Sequence, residues 1–299
     1  MAGGEPAKRR VSTDRRRAAV LGHPIAHSLS PVLHQAAYQA LGLDGWTYQA
    51  LDTTQEQLAA RVHALDESWA GLSVTMPLKV AIAGLLHHVE PLAEAVGAVN
   101  TVLVQPGRVL TLVGANTDVH GLVAALGEGL VGRTPGRAVV LGGGATAASA
   151  LAALAQLGQP GTSLLVRSVA RAGATVRAAS RMGVTVRPEP IDGRLERWTG
   201  ADTVVSTLPP RAADPLATAL VERGEPVTGV LLDCAYDPRP TALGAAWHSL
   251  GGTVVGGERM LLHQAVEQVR LMTGLQPPVA AMAEALVAEL VRREAPPAG

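Results

Sequence analysis

Six residues constrain this chain more than any others: Gly142-Gly-Gly-Ala-Thr-Ala147, set between an apolar run at 137–141 and an Ala/Leu-rich run reaching about residue 157. The first run reads as a short buried strand and the second as a helix. A Gly-x-Gly-x-x-Ala turn in that context fits a dinucleotide site. The first glycine makes the tight turn, the second lets the backbone approach a pyrophosphate, and the helix N-terminus receives its charge. An ordinary glycine-rich connection has the same letters, so the surrounding pattern has to decide.

That pattern is an alternation. Strand-like runs at 17–22, 46–51 and 70–75 are separated by helical patterns at 30–41 and 55–65, and Pro77 is placed to start another helix. Ser30-Pro31 reads as an N-cap followed by the first helical residue. Residues 99–105 and 109–114 read as two strands joined by a Pro-Gly turn. A second series begins near Asp118 with a helix over 119–130. Strand-like runs follow at 137–141, 162–167, 184–187, 202–206, 230–234 and 253–255, with helices after the first two. From about 258 two helices are broken at Gln276-Pro277-Pro278. The order predicts an α/β protein of two domains, 18–118 and 119–257, followed by helices over 258–299. The first is an αβα unit with a mostly parallel sheet, and the second is of Rossmann type. Residues 1–17 read as a flexible basic arm.

Composition removes other classes. The 299 residues are 47% hydrophobic and carry no formal net charge, which argues against a disordered or nucleic-acid-binding chain. Phe is absent, so stacking platforms for single strands are not expected. The single Cys234 excludes an internal disulfide. No apolar run approaches the roughly 20 residues of a membrane span. The apolar stretch after the basic start is too short for a signal peptide. A cytoplasmic protein without a membrane partner is expected. No cluster of His, Cys and carboxylate has metal-ligand spacing, and the adjacent His87-His88 would point to different sides of a helix.

The chain has two lysines and otherwise uses arginine. Lys8 lies in the arm; Lys79 ends the stretch Gly71-Leu-Ser-Val-Thr-Met-Pro-Leu-Lys79. Burial moves a lysine pKa, whereas arginine stays charged, so Lys79 reads either as proton chemistry or as a solvated helix start. Asp118 is its natural partner, since two opposite charges in a cleft can pass and receive a proton. Asn100-Thr101 and Asn116-Thr117 are polar pairs at strand ends, fitting a hydroxylated ligand or plain turns. Ser28 is open to a ligand, and Ser30 is either a helix cap or a second contact for an anion at a helix N-terminus. After the strand that follows the glycine turn stand Arg167 and Arg171 with no acid. They suit a 2′-phosphate, hence NADP, or merely solvate a helix start. His27 and His263 read as packing residues at least as well as ligands.

Seven motifs in register, GHPIAHSLSP, SVTMPLK, GAVNT, GANTDVHG, LGGGATA, DCAYDPRPT and GGERMLLHQA, resemble the shikimate dehydrogenase family from about residue 18 to 286. The resemblance implies an N-terminal substrate domain, an NADP domain, and C-terminal helices returning to the first. It implies reversible hydride transfer between C3 of shikimate and NADP, without a metal, on the route to chorismate and the aromatic amino acids. It makes Lys79 and Asp118 catalytic, and Ser28, Ser30, Thr75, Asn100, Tyr236 and Gln264 substrate-binding. Gly142, Gly143, Gly144, Ala145, Thr146, Arg167, Arg171 and Gly257 fall at cofactor positions. The partner is the small-molecule substrate, with a monomer or homodimer expected. Three departures stand out. Ser73 replaces an asparagine, which keeps quinate open as an alternative substrate. Ala145 replaces a glycine. Val166-Arg167-Ser168 replaces Asn-Arg-Thr, which narrows the preference for NADP over NAD.

Overall fold

The structure is a computed structural model that describes residues 15–159, 161–191 and 195–294. The expected basic arm falls largely outside the described residues, and Arg16 and Arg17 already belong to the first strand.

The first unit contains β1 (Arg16–Gly22), α1 (Ser30–Ala40), β2 (Trp46–Asp52), α2 (Gln55–His63), β3 (Trp69–Val74), β4 (His88–Val89), α3 (Pro91–Val96), β5 (Thr101–Gln105) and β6 (Thr111–Ala115). Its strand order is β2-β1-β3-β5-β6-β4. The sheet is mostly parallel, as expected: β1 runs parallel to β2 and β3, and β4 to β6, while β5 alone is antiparallel, to β3 and to β6. The cause is the short Pro106-Gly107 connection, since only antiparallel strands can be joined by so tight a turn. The register sets Ser73 opposite Thr101 and Thr101 opposite Ala115, so the ends of β3 and β6 and the start of β5 share one edge.

The second unit runs α4 (Asp118–Leu130), β7 (Ala138–Leu141), α5 (Ala145–Gln156), β8 (Gly161–Val166), α6 (Gly173–Arg181), β9 (Thr185–Pro190), β10 (Thr203–Ser206), α7 (Asp214–Arg223), β11 (Val230–Asp233), α8 (Ala242–Ser249) and β12 (Thr253–Gly256). Its order, β12-β11-β10-β7-β8-β9, is parallel throughout. Strands of this kind are buried on both faces and read as unbroken apolar runs, as Val139-Val140-Leu141 and Leu231-Leu232 do. Helices α7 and α8 carry no strong apolar period, and the sequence does not announce them. In-register Leu141, Ser206, Asp233 and Gly256 end their strands along one edge, which faces the first unit.

Two helices close the chain, α9 (Gly257–Thr273) and α10 (Val279–Glu294). They pack against α1 through Leu33, Ala37 and Tyr38 on one side and Leu262, Val269, Met282 and Leu286 on the other. Helix α9 also lies along α4, so both segments that pass between the units meet there.

Three local expectations are corrected. Helix α1 begins at Ser30 itself, with Leu29 at the cap position and no side-chain cap. The acceptor is instead Ser28, whose Oγ receives the Ser30 N–H at 3.3 Å. Pro77 does not start an α-helix: residues 75–80 form turns, followed by a short 3-10 stretch at Ala81–Leu85. His87 and His88 are not helical; His88 lies in β4, and His87 Nδ1 accepts the Leu112 N–H at 3.0 Å.

Candidate active site

The turn that follows β3 is held at both ends by backbone. Thr75 N–H donates to Leu21 at 2.9 Å, and Val99 N–H donates to the Lys79 carbonyl at 2.8 Å. Between them Leu78 is fully buried. Truncating such a leucine costs about 2–5 kcal/mol, so it anchors the turn firmly. Lys79 is thereby aimed at Asp118, the first residue of α4, and its Nζ lies 2.5 Å from Asp118 Oδ2. A carboxylate at a helix N-terminus sits where the helix dipole favours negative charge.

Behind the pair stands a buried polar layer. Asn100 Nδ2 donates to Asp118 Oδ1 at 2.8 Å and to Thr117 Oγ1 at 2.9 Å. Asn100 Oδ1 accepts from Thr117 N–H at 2.7 Å and from Thr101 Oγ1 at 2.9 Å. The carboxamide is thus fully used inside the protein, and it orients Asp118. The layer continues through Gln268, whose Nε2 donates to Thr101 Oγ1 at 3.0 Å. Gln268 Oε1 accepts from Ser73 Oγ at 2.8 Å and lies 3.2 Å from His34 Nε2. Tyr48 completes it by donating to Ser73 Oγ at 2.6 Å and stacking on His34 with ring centroids 4.0 Å apart. Burial pushes the His34 imidazole down to about 4, partly opposed by Gln268, so this ring is neutral near pH 7.

A cavity of about 320 Å³ opens on this layer. Ser28, Ser30, Thr75, Lys79, Asn100, Asp118, Tyr236 and Gln264 all line it, as do Ser73 and Gln268. All eight residues expected on the substrate side and at the reacting centre therefore meet in one place. Sequence reading missed Gln268, Tyr48 and His34. One signal for Gln268 was available: it stands one turn after Gln264 on α9, and both are buried.

The neighbouring cavity, about 400 Å³, is lined by Gly142, Gly143, Gly144, Ala145, Thr146, Arg167 and Arg171, and by Thr75 and Lys79 as well. Lys79 thus stands where the two cavities meet. Gly142 has φ +112°, a conformation that side chains rarely adopt, and a Cβ there would collide with Thr207. Helix α5 starts at Ala145 with no side-chain cap. Its first N–H groups are thus available to an anion. Among the described residues no carboxylate lines this cavity, while two exposed guanidiniums do. The residues present fit a dinucleotide that carries an additional phosphate. Gly257 is the one expected residue that lines neither cavity. It opens α9, and a side chain there would run into the carbonyls of Asp233 and Cys234, so its smallness serves a close backbone approach.

His27 lines the substrate-side cavity, and its carbonyl accepts from Arg293. His263 lies 2.7 Å from Glu128, which also pairs with Arg259, so it ties α9 to α4. Among the described residues no group of three or more His, Cys, Asp or Glu side chains is arranged to hold a metal ion, and no helix is long and apolar enough to cross a membrane.

A parallel nucleotide-type sheet joined to a second α/β unit, with a lysine–aspartate pair between their cavities, defines a two-domain dehydrogenase of Rossmann type. Residues 20–102 match the shikimate dehydrogenase substrate binding domain, and residues 257–287 match the shikimate 5'-dehydrogenase C-terminal domain. The NADP(+) shikimate dehydrogenase of Rubrobacter xylanophilus is 37% identical over 276 residues, covering 90% of this chain and 95% of that protein. The chain belongs to the shikimate dehydrogenase family. Its structure is similar to that of shikimate dehydrogenase from Mycobacterium tuberculosis, with a TM-score of 0.81, 40% identity, and coverage of 91% of this chain and 99% of that one. It is also similar to quinate dehydrogenase from Corynebacterium glutamicum in complex with NAD, with a TM-score of 0.78, 27% identity, and coverage of 92% and 99%.

Proposed function

We propose that this chain interconverts shikimate and 3-dehydroshikimate with NADP, on the route to chorismate and the aromatic amino acids, and that it works in the cytoplasm. The observation that carries the reading is the Lys79–Asp118 pair at the junction of the two cavities. In this reading residues 18–118 bind substrate and 119–257 bind NADP, while 258–299 return to the first domain.

NADP held in the nucleotide-side cavity would supply the hydride acceptor that oxidation at C3 of shikimate requires. The chain supplies alignment and proton handling. Lys79 Nζ, as the neutral amine, takes the hydroxyl proton as the hydride departs and becomes the ammonium that Asp118 stabilises; in the reverse direction the ammonium returns the proton to the forming alkoxide, with Asp118 holding the hydroxyl in line. Asn100 and Thr117 fix Asp118 from behind. Ser28, Ser30 and Tyr236 receive the substrate carboxylate, and Thr75 and Gln264 face ring hydroxyls. On the cofactor side, Gly142 to Thr146 cradle the pyrophosphate, Arg167 and Arg171 hold the 2′-phosphate, and Gly257 lets the chain close near the nicotinamide.

Quinate is a second reading that one observation favours. Ser73 is shorter than the asparagine expected there, and its hydroxyl is drawn back to Gln268 and Tyr48, leaving that wall wider. The test is a spectrophotometric NADPH assay of the purified chain with shikimate and quinate side by side, each with NADP and NAD. Turnover of shikimate with NADP exceeding all other combinations is expected. Absence of turnover with shikimate defeats the reading, and comparable turnover of quinate extends it.

A further inference from the structure

Among the described residues no arginine stands in the wall of the cavity that would receive a carboxylate, and its lysine is committed to Asp118. It is also assembled from two units. Ser28 stands in the loop after β1, and Tyr236 in the loop after β11. Something must hold these loops in fixed relation.

The last turn of α10 meets this requirement. Arg293 Nη1 donates to the His27 carbonyl at 2.7 Å, adjacent to Ser28, while its Nε donates to Glu289 Oε1 at 2.7 Å. Glu289 also accepts from Arg292 Nε and Nη2 at 2.7 Å, so the Arg293 fork is braced from its own helix. The next residue, Glu294, accepts from Arg239 Nε at 2.8 Å, and Arg239 lies three residues beyond Tyr236. From its inner end the Tyr236 loop is fixed by Asp233, which accepts from Thr241 Oγ1 at 2.7 Å. One helical turn therefore grips both loops. Burial pushes the Tyr236 hydroxyl up, an effect that the Arg293 charge only partly opposes and Asp237 adds to.

We propose that Arg293 is a positioning residue for the substrate carboxylate, fixing the Ser28 loop through the His27 carbonyl while Glu294 holds the Tyr236 loop through Arg239. The proposal rests on the function given above. It predicts a binding effect confined to charged substrates. The test measures steady-state kinetics of the full chain and its Arg293→Met and Arg293→Lys variants, with shikimate and with its uncharged methyl ester. Arg293→Met should raise the KM for shikimate about tenfold, the scale of a lost charge-assisted contact. The kcat and the KM for NADP should stay within about threefold, and kcat/KM for the ester should barely change. Arg293→Lys keeps the charge but not the fork and should fall between. If Arg293→Met fails to fold, Arg293→Lys carries the same comparison between acid and ester. An unchanged shikimate KM, or an equal loss with acid and ester, overturns the proposal. Absence of wild-type turnover with shikimate would instead defeat the functional reading, and this proposal with it.

Discussion

The two cavities recognise by different means. The nucleotide-side cavity is built of backbone: a glycine turn, an uncapped helix start and two exposed arginines at its rim. The substrate-side cavity is built of side chains, and behind it an unbroken run of hydrogen bonds passes from His34 through Gln268, Thr101, Asn100 and Asp118 to Lys79. A backbone cradle tolerates substitution around it, because the groups that bind are peptide N–H donors. A side-chain layer sealed from water does not, because each missing partner leaves a buried polar group unpaired. Substitutions on the first side should therefore change affinity, and those on the second should change turnover or stability.

The sharpest division comes from Lys79→Ala. General acid–base catalysis contributes about 10²–10⁴-fold, and turnover should fall by that much. Cofactor affinity, read by quenching or enhancement of nucleotide fluorescence, should hold within about twofold, because the glycine turn is untouched. Near wild-type turnover would remove Lys79 from the chemistry and dissolve the contrast between the two sides.

His34 tests whether the buried layer is a stability element. Its imidazole is pushed down from 6.5 to about 4 in the folded chain. The unfolded chain therefore binds more protons across that window, and stability is complete above about 6.5 and declines as pH falls toward 4. The shift corresponds to about 3 kcal/mol over the whole window. Urea unfolding at pH 7 and pH 4.5 should show the wild type losing about 2 kcal/mol more than a His34→Gln variant. Equal losses would mean that His34 titrates normally and that the layer is open to water.

Legibility in the sequence follows the same division. The glycine turn, Arg167 and the strand–helix alternation are local patterns, and the structure has them where the residues predict. The partners of the buried layer are not local: His34 and Gln268 are 234 residues apart and meet only because α9 returns to α1. No periodicity encodes such a meeting. Lys79 and Asp118 could be paired in advance because a lysine inside an apolar stretch is an anomaly in a chain that has only two lysines and otherwise uses arginine. The misreadings were also local. Ser30-Pro31 has the letters of a helix cap, but Ser28 takes that N–H instead, and Ser30 turns inward as the first helical residue. Pro77 has the letters of a helix start, but backbone bonds from Thr75 and Val99 hold the segment as a turn, and that turn is what presents Lys79.

The smallest effect should come from Arg167→Ala, and it probes the backbone-built side. Arg167 is exposed at the rim of the nucleotide-side cavity, with Arg171 four residues on. An exposed guanidinium is screened by solvent, so its loss should raise the KM for NADP only about tenfold, with little change for NAD, which lacks the phosphate. Ionic strength provides an internal check. Raising salt from 0.05 to about 0.5 M should weaken NADP binding to the wild type and narrow its gap to the variant, because the interaction lies in the screened layer. Turnover at saturating cofactor should stay near wild type in both. A matching rise in the KM for NAD would mean that Arg167 shapes the turn rather than reading the phosphate. A fall in turnover would mean that the two sides of the cleft are coupled more tightly than their separate construction implies.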